Sequence, residues 1–320
     1  MLSTTIRFWK KENLKFNSCM TEINIAVLLT CFNRKDLTIS CLSNLKHALL
    51  AYNSTFKNNI CISVFLTNDG CTDGTPEAVR QCLEGEVLHI IEADGNAYWA
   101  GGMRLAWECA IKNGSFDFFL LLNDDTDVWN NLFEELFAAH DYCKKMYSKG
   151  GVYSGNTTWK SDYTKRSFGG RKASGFIFKR FYRLYPNGVP QRCDIVNANI
   201  LMVSREVVDA IGIFPKCYWH GAADNDYGMR ANKAGFPVVI TSGYCGSCDA
   251  DNYNLKQECA KISNMTFSQR AEYFSKPTHS VHDQLEFSMR WRKVFVPVIL
   301  FAYFLHRYIP SLYAFLLKKS

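Results

Sequence analysis

The feature that most constrains the fold is a short apolar run that ends abruptly in acidic residues. Phe118–Leu122 are five consecutive large apolar side chains, a pattern typical of a β-strand buried on both faces. The polar residues that follow are Asn123, Asp124, Asp125, Thr126 and Asp127. In an open α/β sheet, ligands bind at the carboxyl ends of the strands, and clustered carboxylates there favour a cation that relieves their repulsion. A hard divalent metal shared with a phosphate-bearing ligand meets both conditions.

Helix capping is the simpler explanation for these acids. An aspartate side chain accepts hydrogen bonds from the free backbone N–H groups at the start of a helix, and a helical pattern begins near Trp129. Asp125 or Asp127 can serve as that cap. A single cap does not require three acids, so capping leaves two carboxylates unexplained.

Earlier strands are predicted to end at the same edge of the sheet. Apolar runs at 25–30, 60–67 and 87–91 each lead through polar residues into a helical pattern. This alternation predicts a parallel sheet with right-handed connections. Turn chemistry explains Gly70 and Gly74 after the second run, and Asp73 can cap a helix. It does not explain why two strands end in acids at one edge.

The loops after these strands lack the glycine-rich motifs that wrap phosphates. The first run is followed by Cys31, Phe32, Asn33 and Arg34, where a dinucleotide-binding fold has G-x-G-x-x-G and a P-loop has a glycine-rich loop with lysine. A nucleotide would therefore be held largely by side chains. The loop after the third run offers small, aromatic and cationic residues, namely Gly95, Trp99, Gly101, Gly102 and Arg104.

Composition excludes several classes of protein. The 320 residues are 48% hydrophobic and 21% charged, which is ordinary for a globular chain with one large domain or two small ones. A net charge of +7 without a concentrated basic block does not indicate nucleic-acid binding. Thirteen scattered cysteines without a secretion signal favour reduced thiols in a cytoplasm. Cys245 and Cys248 form a CxxC without a second pair, so they do not indicate zinc.

A second acidic segment lies in the later half of the chain. Asp224 and Asp226 precede Arg230 in a stretch whose spacing predicts a short helix ended by Gly235. An acid at the start of a helix is stabilised by the helix dipole, so this position also has a purely structural explanation.

Four motifs, in this order, give the chain a family resemblance. Thr-Cys-Phe-Asn-Arg follows the first strand, Asn-Asp-Gly-Cys-Thr-Asp-Gly-Thr the second, Asp-Gly-Asn-Ala-Tyr-Trp-Ala-Gly-Gly-Met-Arg the third and Leu-Asn-Asp-Asp-Thr the fourth. Over residues 23–250 the chain resembles the family 2 glycosyltransferases of the GT-A fold, and within them the bacterial rhamnosyltransferase-like members that build surface polysaccharides. The resemblance implies an α/β fold with a mostly parallel, Rossmann-like sheet flanked by helices, and an enzyme of the hexosyltransferase class.

The resemblance also implies roles for individual residues. Asp125 falls on the last acid of the family's Asp-x-Asp motif, which holds Mn²⁺ or Mg²⁺ against the diphosphate, and Asp127 is a second candidate ligand. Asp224 matches the family's catalytic base, although the acid that often precedes it is here Ala223. The donor side would comprise Asn33, Asn68, Asp69, Trp99, Gly101, Gly102, Arg104, Asn123 and Asp124. The acceptor side would comprise Asn197, Asn199, His220, Asp226 and Arg230.

The chain is predicted to have three regions. These are an N-terminal extension at 1–22 with Met20 as an alternative start, a GT-A domain at 23–255, and a helical tail at 256–320. Within the domain, 23–128 would bind the nucleotide and 129–255 the acceptor. The apolar run at 294–305 is shorter than the roughly 20 residues that span a bilayer. With basic residues on both sides, it predicts either an interfacial segment on anionic lipid or packed helices that cover the domain.

Together these features predict an inverting, metal-dependent glycosyltransferase in the cytoplasm, at the inner face of a bacterial plasma membrane. Its donor would be a dTDP- or UDP-sugar, with rhamnose as the first candidate by resemblance. Its acceptor would be a lipid-linked or other oligosaccharide of an O-antigen, capsule or lipopolysaccharide. Two alternatives stay open. A non-catalytic nucleotide-sugar or glycan-binding protein would keep the fold without turnover, and a nucleotidyltransferase would share the sheet but need a glycine-rich basic loop after the first strand.

Overall fold

The computed structural model describes residues 22–56, 60–175, 180–249 and 254–317. Most of the predicted N-terminal extension, including the alternative start at Met20, lies outside the described residues. Within the described ranges the cysteines are all free thiols.

The first part of the chain alternates strands and helices, as the apolar runs predict. Its elements are β1 (Ile23–Cys31), α1 (Lys35–Phe56), β2 (Ile60–Asn68), α2 (Thr75–Cys82), β3 (Val87–Glu92), α3 (Tyr98–Asn113), β4 (Phe118–Leu122) and β5 (Asp127–Val128). The strand predicted at 118–122 has these bounds in the structure. Short polar turns join the elements, so each strand delivers its last residues to one edge of the sheet.

The second part mixes strand directions, and the chain ends in a helical tail. Its elements are α4 (Leu132–Tyr147), β6 (Val152–Thr158), β7 (Arg171–Ser174), β8 (Arg180–Arg183), β9 (Gln191–Arg192), β10 (Ile200–Ser204), α5 (Arg205–Ile211), α6 (Ala223–Lys233) and β11 (Val238–Ser247). The tail comprises α7 (Leu255–Ser263), α8 (Phe267–Ser275), α9 (His282–Trp291), a 3₁₀ turn (Lys293–Phe295), α10 (Val296–Tyr308) and α11 (Pro310–Leu317). The predicted helical tail is therefore confirmed.

The main sheet has the strand order β3-β2-β1-β4-β10-β6-β11-β5, and β9 pairs with β11. Strands β1 to β4 are parallel to one another, whereas β10 runs antiparallel between β4 and β6. Strand β4 therefore lies where the direction changes. Its carboxyl end meets the start of β10, so residues just before β10 lie beside the acids that follow β4.

Strand β4 is apolar throughout because both of its faces are covered. Phe118, Leu120 and Leu122 point into the core that α1, α2 and α4 form with the sheet. The alternate residues Phe119 and Leu121 point into a second core, formed with α3, α5 and α6. Successive side chains of a strand point to opposite faces, so burial on both sides requires an unbroken apolar run. The fold class predicted from the sequence, a mostly parallel α/β sheet flanked by helices, is confirmed.

Helix α3 lies directly against the sheet because Gly102 has no side chain. A Cβ at this position would lie 2.2 Å from Thr30 Oγ1 on β1. The Gly102 carbonyl instead accepts a hydrogen bond from Thr67 Oγ1 on β2 at 2.8 Å. This close approach holds the first turn of α3 at the edge where β1 and β2 end.

Candidate functional site

Two carboxylates at the end of β4 converge on one cationic group. Arg34, just after β1, places Nη1 2.9 Å from Asp125 Oδ2 and 3.4 Å from Asp124 Oδ1. The Arg34 side chain is 46% exposed, whereas Asp124 is buried. An acid pair that faces a single positive charge has the geometry of a small cation site at the sheet edge.

The two acids of this pair differ in environment. Burial raises the pKa of Asp124 to about 6, although the nearby Arg34 guanidinium acts in the opposite direction. Thr38 Oγ1 donates to Asp124 Oδ2 at 3.3 Å. Asp125 is more open to solvent, and its Oδ1 accepts a weak hydrogen bond from Cys248 Sγ at 3.5 Å. Asp124 is therefore the inner member of the pair and Asp125 the outer one.

Asp127, predicted as a second metal ligand, has other partners in the structure. Its Oδ1 accepts hydrogen bonds from Ser40 Oγ at 3.1 Å and from Asn44 Nδ2 at 3.3 Å. Its Oδ2 forms a 2.7 Å ion pair with Lys160 Nζ. Both oxygens thus tie the loop after β4 to α1 and to the segment after β6. The structure pairs Asp125 with Asp124, which was predicted on the donor side.

The divalent cation that the resemblance implies fits this acid pair. Mg²⁺ and similar ions often use one or two protein carboxylates and take their remaining ligands from substrate phosphates and water. Asp124 and Asp125 would supply the protein ligands. Within the described ranges, no three histidine, cysteine or acidic residues gather as a metal site. With such a cation bound, the two carboxylates would supply only part of its ligands.

The predicted donor-side residues after β1 and β2 organise the loops at this edge. Asn33 has a left-handed backbone, with φ of 51°, and its Oδ1 accepts from the Thr72 N–H at 2.8 Å. Asn68 Oδ1 accepts from the Cys71 N–H at 2.9 Å. Asp69 is buried and accepts from the backbone N–H groups of residues 97 and 98 at 3.0 and 2.9 Å, where α3 begins. A carboxylate at this position stabilises the helix N-terminus.

The predicted donor-side residues on α3 join this helix to both halves of the site. Trp99 Nε1 donates to Asn123 Oδ1 at 2.8 Å, which links the start of α3 to the loop after β4. Arg104 Nη1 donates to the carbonyls of Pro215 and Tyr218 at 3.2 and 3.4 Å. Arg104 thus holds the segment before α6 in place. Gly101 and Gly102 are buried within the helix, and Gly102 permits its contact with β1.

Asp224, the predicted base, lies at the start of α6 and is only 9% exposed. Its Oδ2 accepts from the Ala198 N–H at 3.1 Å, and its Oδ1 accepts from the Asn225 N–H at 2.7 Å. Burial raises the pKa of Asp224, while the backbone donors and the charge of Arg171 act in the opposite direction. A carboxylate with a raised pKa is a better proton acceptor than an ordinary surface aspartate.

Two consecutive residues before β10 connect Asp224 with the acid pair. The N–H of Ala198 binds Asp224, as described above. The next residue, Asn199, accepts from the Asn123 N–H at 3.2 Å through its carbonyl and donates to Cys248 Sγ at 3.3 Å through its side chain. Cys248 in turn contacts Asp125. Adjacent Cα atoms are about 3.8 Å apart, so one short segment, Ala198 and Asn199, binds both Asp224 and the loop that carries the acid pair.

A cavity of about 360 Å³ lies at the start of α6. Its lining includes Arg171, His220, Asn225, Asp283 and Arg292. Asn225 Oδ1 is buried and has no hydrogen-bond partner within the described part of the chain. An acceptor atom left unsatisfied beside a cavity can bind a ligand hydroxyl. Burial lowers the pKa of Arg171, whose charge interacts with that of Asp224.

The helical tail binds the backbone of the segment that precedes α6. Asp283, at the start of α9, accepts from the N–H groups of Trp219, His220 and Gly221 at 3.0, 2.7 and 2.8 Å. The following residue, Ala222, has φ of 61°, a conformation that costs a non-glycine residue roughly 1–2 kcal/mol. Three hydrogen bonds to one carboxylate stabilise this strained turn.

The remaining predicted acceptor-side residues take structural positions. Asp226 is fully buried against Arg290, with two contacts of 3.0 Å to Nη1. Arg230 donates to the carbonyls of Ile211 and Ile213. The carbonyl of Asn197 accepts from a serine on β6 at 3.4 Å, and no described contact of its side chain bears on the site.

Arg171 lies in a turn that the resemblance implies on the acceptor side, and it lines the cavity at the start of α6. Four residues that the structure brings to this region had no predicted role in the site, namely Arg34, Asn225, Asp283 and Arg290. Arg34 and Asn225 lie within the segments that the sequence analysis singled out, so their positions could have indicated a role. Asp283 and Arg290 lie in the tail, where the family resemblance ends and no motif marks them.

The sheet carries an acid pair at the carboxyl edge of its parallel strands, and a residue just before β10 binds a buried carboxylate at the start of α6. No protein-family model matches the chain, and no curated protein sequence is significantly similar to it.

Solved glycosyltransferase structures are similar to this chain. One is the mannosyltransferase PcManGT from Pyrobaculum calidifontis, solved with GDP-Man and Mn²⁺, with a TM-score of 0.53 and 14% identity over 88% of this chain and 69% of that chain. Another is TarS from S. aureus, residues 1–349, with a TM-score of 0.49 and 13% identity over 76% of this chain and 66% of that chain. At this identity the likeness to PcManGT shows the fold alone.

Proposed function

We propose that the chain is an inverting glycosyltransferase that moves a sugar from a nucleotide-sugar donor to an acceptor hydroxyl. The observation that carries this proposal is the connection, through Ala198 and Asn199, between a buried carboxylate and an acid pair at the sheet edge. The likeness of fold to a mannosyltransferase solved with GDP-Man and Mn²⁺ supports it.

Asp224 acts as the general base in this proposal. Attack on the anomeric carbon requires the acceptor hydroxyl to lose its proton, and a carboxylate within hydrogen-bond reach can take it. The raised pKa of Asp224 favours that transfer. The unsatisfied Asn225 Oδ1 would accept a hydrogen bond from a neighbouring acceptor hydroxyl. A single displacement of this kind inverts the configuration at the anomeric carbon.

A cation bound by the acid pair, together with Arg34, would stabilise the negative charge of the leaving diphosphate. Asp124 and Asp125 would hold the divalent cation, which neutralises phosphate charge when bound. Arg34 lies at the same edge on a half-exposed side chain and would donate a hydrogen bond to a phosphate oxygen of the donor.

The resemblance of the sequence motifs to family 2 glycosyltransferases suggests a particular donor and acceptor. We propose a family 2 enzyme with a dTDP- or UDP-sugar donor, rhamnose being the first candidate for the sugar. The acceptor would be a growing bacterial surface glycan such as an O-antigen, capsule or lipopolysaccharide, and the enzyme would act from the cytoplasmic side.

A thermal-shift screen against nucleoside diphosphates and nucleotide sugars, each with and without Mn²⁺ or Mg²⁺, tests the donor side. A ligand at 100 times its Kd stabilises the folded state by about 2.7 kcal/mol, which corresponds to a rise in Tm of roughly 5 °C for a chain of this size. We expect one nucleotide to stabilise the chain in a metal-dependent manner. If no nucleotide raises the Tm under any condition, the proposal is wrong.

Three variants separate the proposed roles. Asp125→Ala should abolish the metal-dependent part of the shift, whereas Asp127→Asn should keep it, because Asp127 is bound to α1 and Lys160. Asp224→Asn should retain donor binding and lose sugar transfer. An Asp224→Asn enzyme with wild-type transfer rates would refute the assignment of the base.

A further inference from the structure

Two consecutive helices of the tail expose apolar side chains. Val298, Phe301, Phe304 and Tyr308 of α10 are 60%, 61%, 48% and 37% exposed. Their spacing of three or four residues places them on one face of the helix. Leu312 and Phe315 of the next helix, α11, are also exposed, at 40% and 55%. These six residues are called the apolar tail surface below.

The opposite face of α10 is packed, so the exposure is not a sign of an unattached helix. The rings of Tyr303 and His306, on this face, lie 5.4 and 5.2 Å from the ring of Phe274 on α8. Leu305, at the edge of the exposed face, is buried. Arg270 of α8 also donates to the carbonyl of Arg307 at 3.2 Å. Helix α10 is thus attached to the tail by one face and presents the other outward.

Exposed apolar side chains are concentrated in this part of the molecule. Of the 26 large hydrophobic residues that are exposed within the described ranges, 12 lie between residues 289 and 317. Single exposed apolar residues are normal on a soluble protein, but a continuous patch marks a surface that binds a partner. We therefore expect the apolar tail surface to bind a partner.

The charge of the chain around the apolar tail surface indicates the chemistry of this partner. From residue 287 to 320 the chain contains no aspartate or glutamate and six basic residues, which are Arg290, Arg292, Lys293, Arg307, Lys318 and Lys319. Arg290 pairs with the buried Asp226, and the other five basic residues leave this stretch of sequence positively charged. An apolar surface in a positively charged stretch complements an anionic lipid bilayer. A second copy of the chain is a poorer partner, because a symmetric dimer would bring two positively charged stretches together.

Helix length determines how the tail would meet a bilayer. The 13 residues of α10 extend about 20 Å, whereas the hydrocarbon core of a bilayer is about 30 Å thick. Among the described helices, none combines the length and apolar character needed to cross a membrane. The geometry points to the following arrangement: α10 and α11 lie in the plane of the interface, and the apolar tail surface docks on an anionic bilayer.

Docking would also position the cavity next to Asp224. Helix α9, which leads into α10, binds the backbone of residues 219–221 through Asp283 and holds α6 through the pair of Arg290 with Asp226. A tail seated on lipid would therefore hold the cavity close to the membrane surface. If the proposed function is correct, this arrangement suits an acceptor that is attached to a lipid.

Vesicle flotation of the purified full chain, without any substrate, tests the docking. We expect the protein to float with vesicles of phosphatidylcholine and phosphatidylglycerol and to stay unbound with vesicles of phosphatidylcholine alone. Phe301→Ser with Phe304→Ser should weaken partitioning into the mixed vesicles at least about tenfold, because two aromatic side chains no longer enter the interface. Leu50→Ser, at a 65% exposed position on α1, is the matched control and should float like the wild type.

A charge variant tests the second part of the argument. Lys293→Glu should weaken binding to the mixed vesicles, and added salt should weaken wild-type binding, because both reduce attraction to anionic headgroups. Lys112→Glu, exposed at the end of α3, is the control. Circular dichroism and Tm should show that every variant is folded like the wild type.

Two results would overturn the inference. One is a wild-type chain that does not float with either vesicle. The other is a lipid-free dimer in light scattering that Phe301→Ser with Phe304→Ser converts to a monomer, which would assign the surface to a second copy. Because no donor or acceptor is present, failure here leaves the proposed function unaffected, and a failed transfer assay leaves the docking result unaffected.

Discussion

Replacing Arg290 with methionine should destabilise the protein, because it removes the cation from a buried carboxylate. Asp226 is fully buried in α6, and both of its oxygens lie 3.0 Å from Arg290 Nη1. Trp291 Nε1 also donates to Asp226 Oδ1, at 2.7 Å. The methionine side chain fills a similar length of space but leaves Asp226 with the indole N–H in place of a charged partner.

The size of the effect follows from burial. Removing one partner of a buried ion pair costs about 3–5 kcal/mol in proteins. The Arg290 side chain is 39% exposed, so water reaches part of the site in the variant and reduces the cost. We therefore expect a loss of about 2–3 kcal/mol in the free energy of unfolding.

A double-mutant cycle in urea is the appropriate assay. It compares the wild type with Arg290→Met, Asp226→Asn and the double variant, in which the buried group is neutral and Trp291 still donates to it. The double variant should recover at least about 1 kcal/mol relative to the sum of the single losses. Arg80→Met is the control, since Arg80 and Glu77 form an exposed pair on α2 whose loss should change stability by less than about 1 kcal/mol.

Two outcomes would refute this reasoning. One is an Arg290→Met protein as stable as Arg80→Met, and the other is a cycle without coupling between Arg290 and Asp226. The same variant has a functional consequence, because α6 carries Asp224. Under the proposed function, sugar transfer should fall while metal-dependent donor binding, at the opposite end of the site, stays near the wild-type level.

Further predictions concern the base and the packing of α3. Burial raises the pKa of Asp224, so kcat/KM should fall as pH decreases through a value above the ordinary aspartate pKa of about 3.9. Arg171→Gln should move this acid limb to higher pH, since the charge of Arg171 lowers the pKa of Asp224; an unmoved limb would contradict the coupling. A raised folded-state pKa means that the protonated carboxyl stabilises the fold more, and that this contribution is lost as pH rises from the unfolded-state pKa through the folded-state pKa. The stability of the wild type relative to Asp224→Asn should therefore decrease as pH rises through the folded-state pKa of Asp224, and a difference in Tm that does not change with pH would argue against the raised pKa. Gly102→Ala should destabilise the fold by about 1–3 kcal/mol through the clash with Thr30, whereas Gly221→Ala, with no atom within 4 Å of its new Cβ, should leave the Tm nearly unchanged.

Much of the sheet could be predicted because its signals are local. The five apolar residues of β4 required burial on both faces, and the structure provides a core on each side. The helical tail was likewise predicted from the apolar run at 294–305. The edge at which the acids gather followed from strand direction, since parallel strands bring their carboxyl ends together.

Contacts within the site could be predicted less well, because residues far apart in sequence form them. Arg34 and Asp125 are 91 residues apart, and nothing near either residue indicates that the guanidinium faces the acid pair. Arg290 and Asp226 are 64 residues apart and lie in regions with and without a recognisable motif. Asp69 and Arg104 were predicted on the donor side, and in the structure they bind backbone groups of α3 and of the segment before α6.

The sequence by itself determined which residues reach the sheet edge, because strand length, turn chemistry and apolar periodicity act over a few residues. The tertiary structure alone decided which partners and which degree of burial each carboxylate has. It turned Asp127 toward Lys160, set Asp124 beside Asp125, and buried Asp224 on a helix that the tail holds in place. The physical reason is that the direction and ionisation of a side chain depend on burial and on charges that only packing brings near.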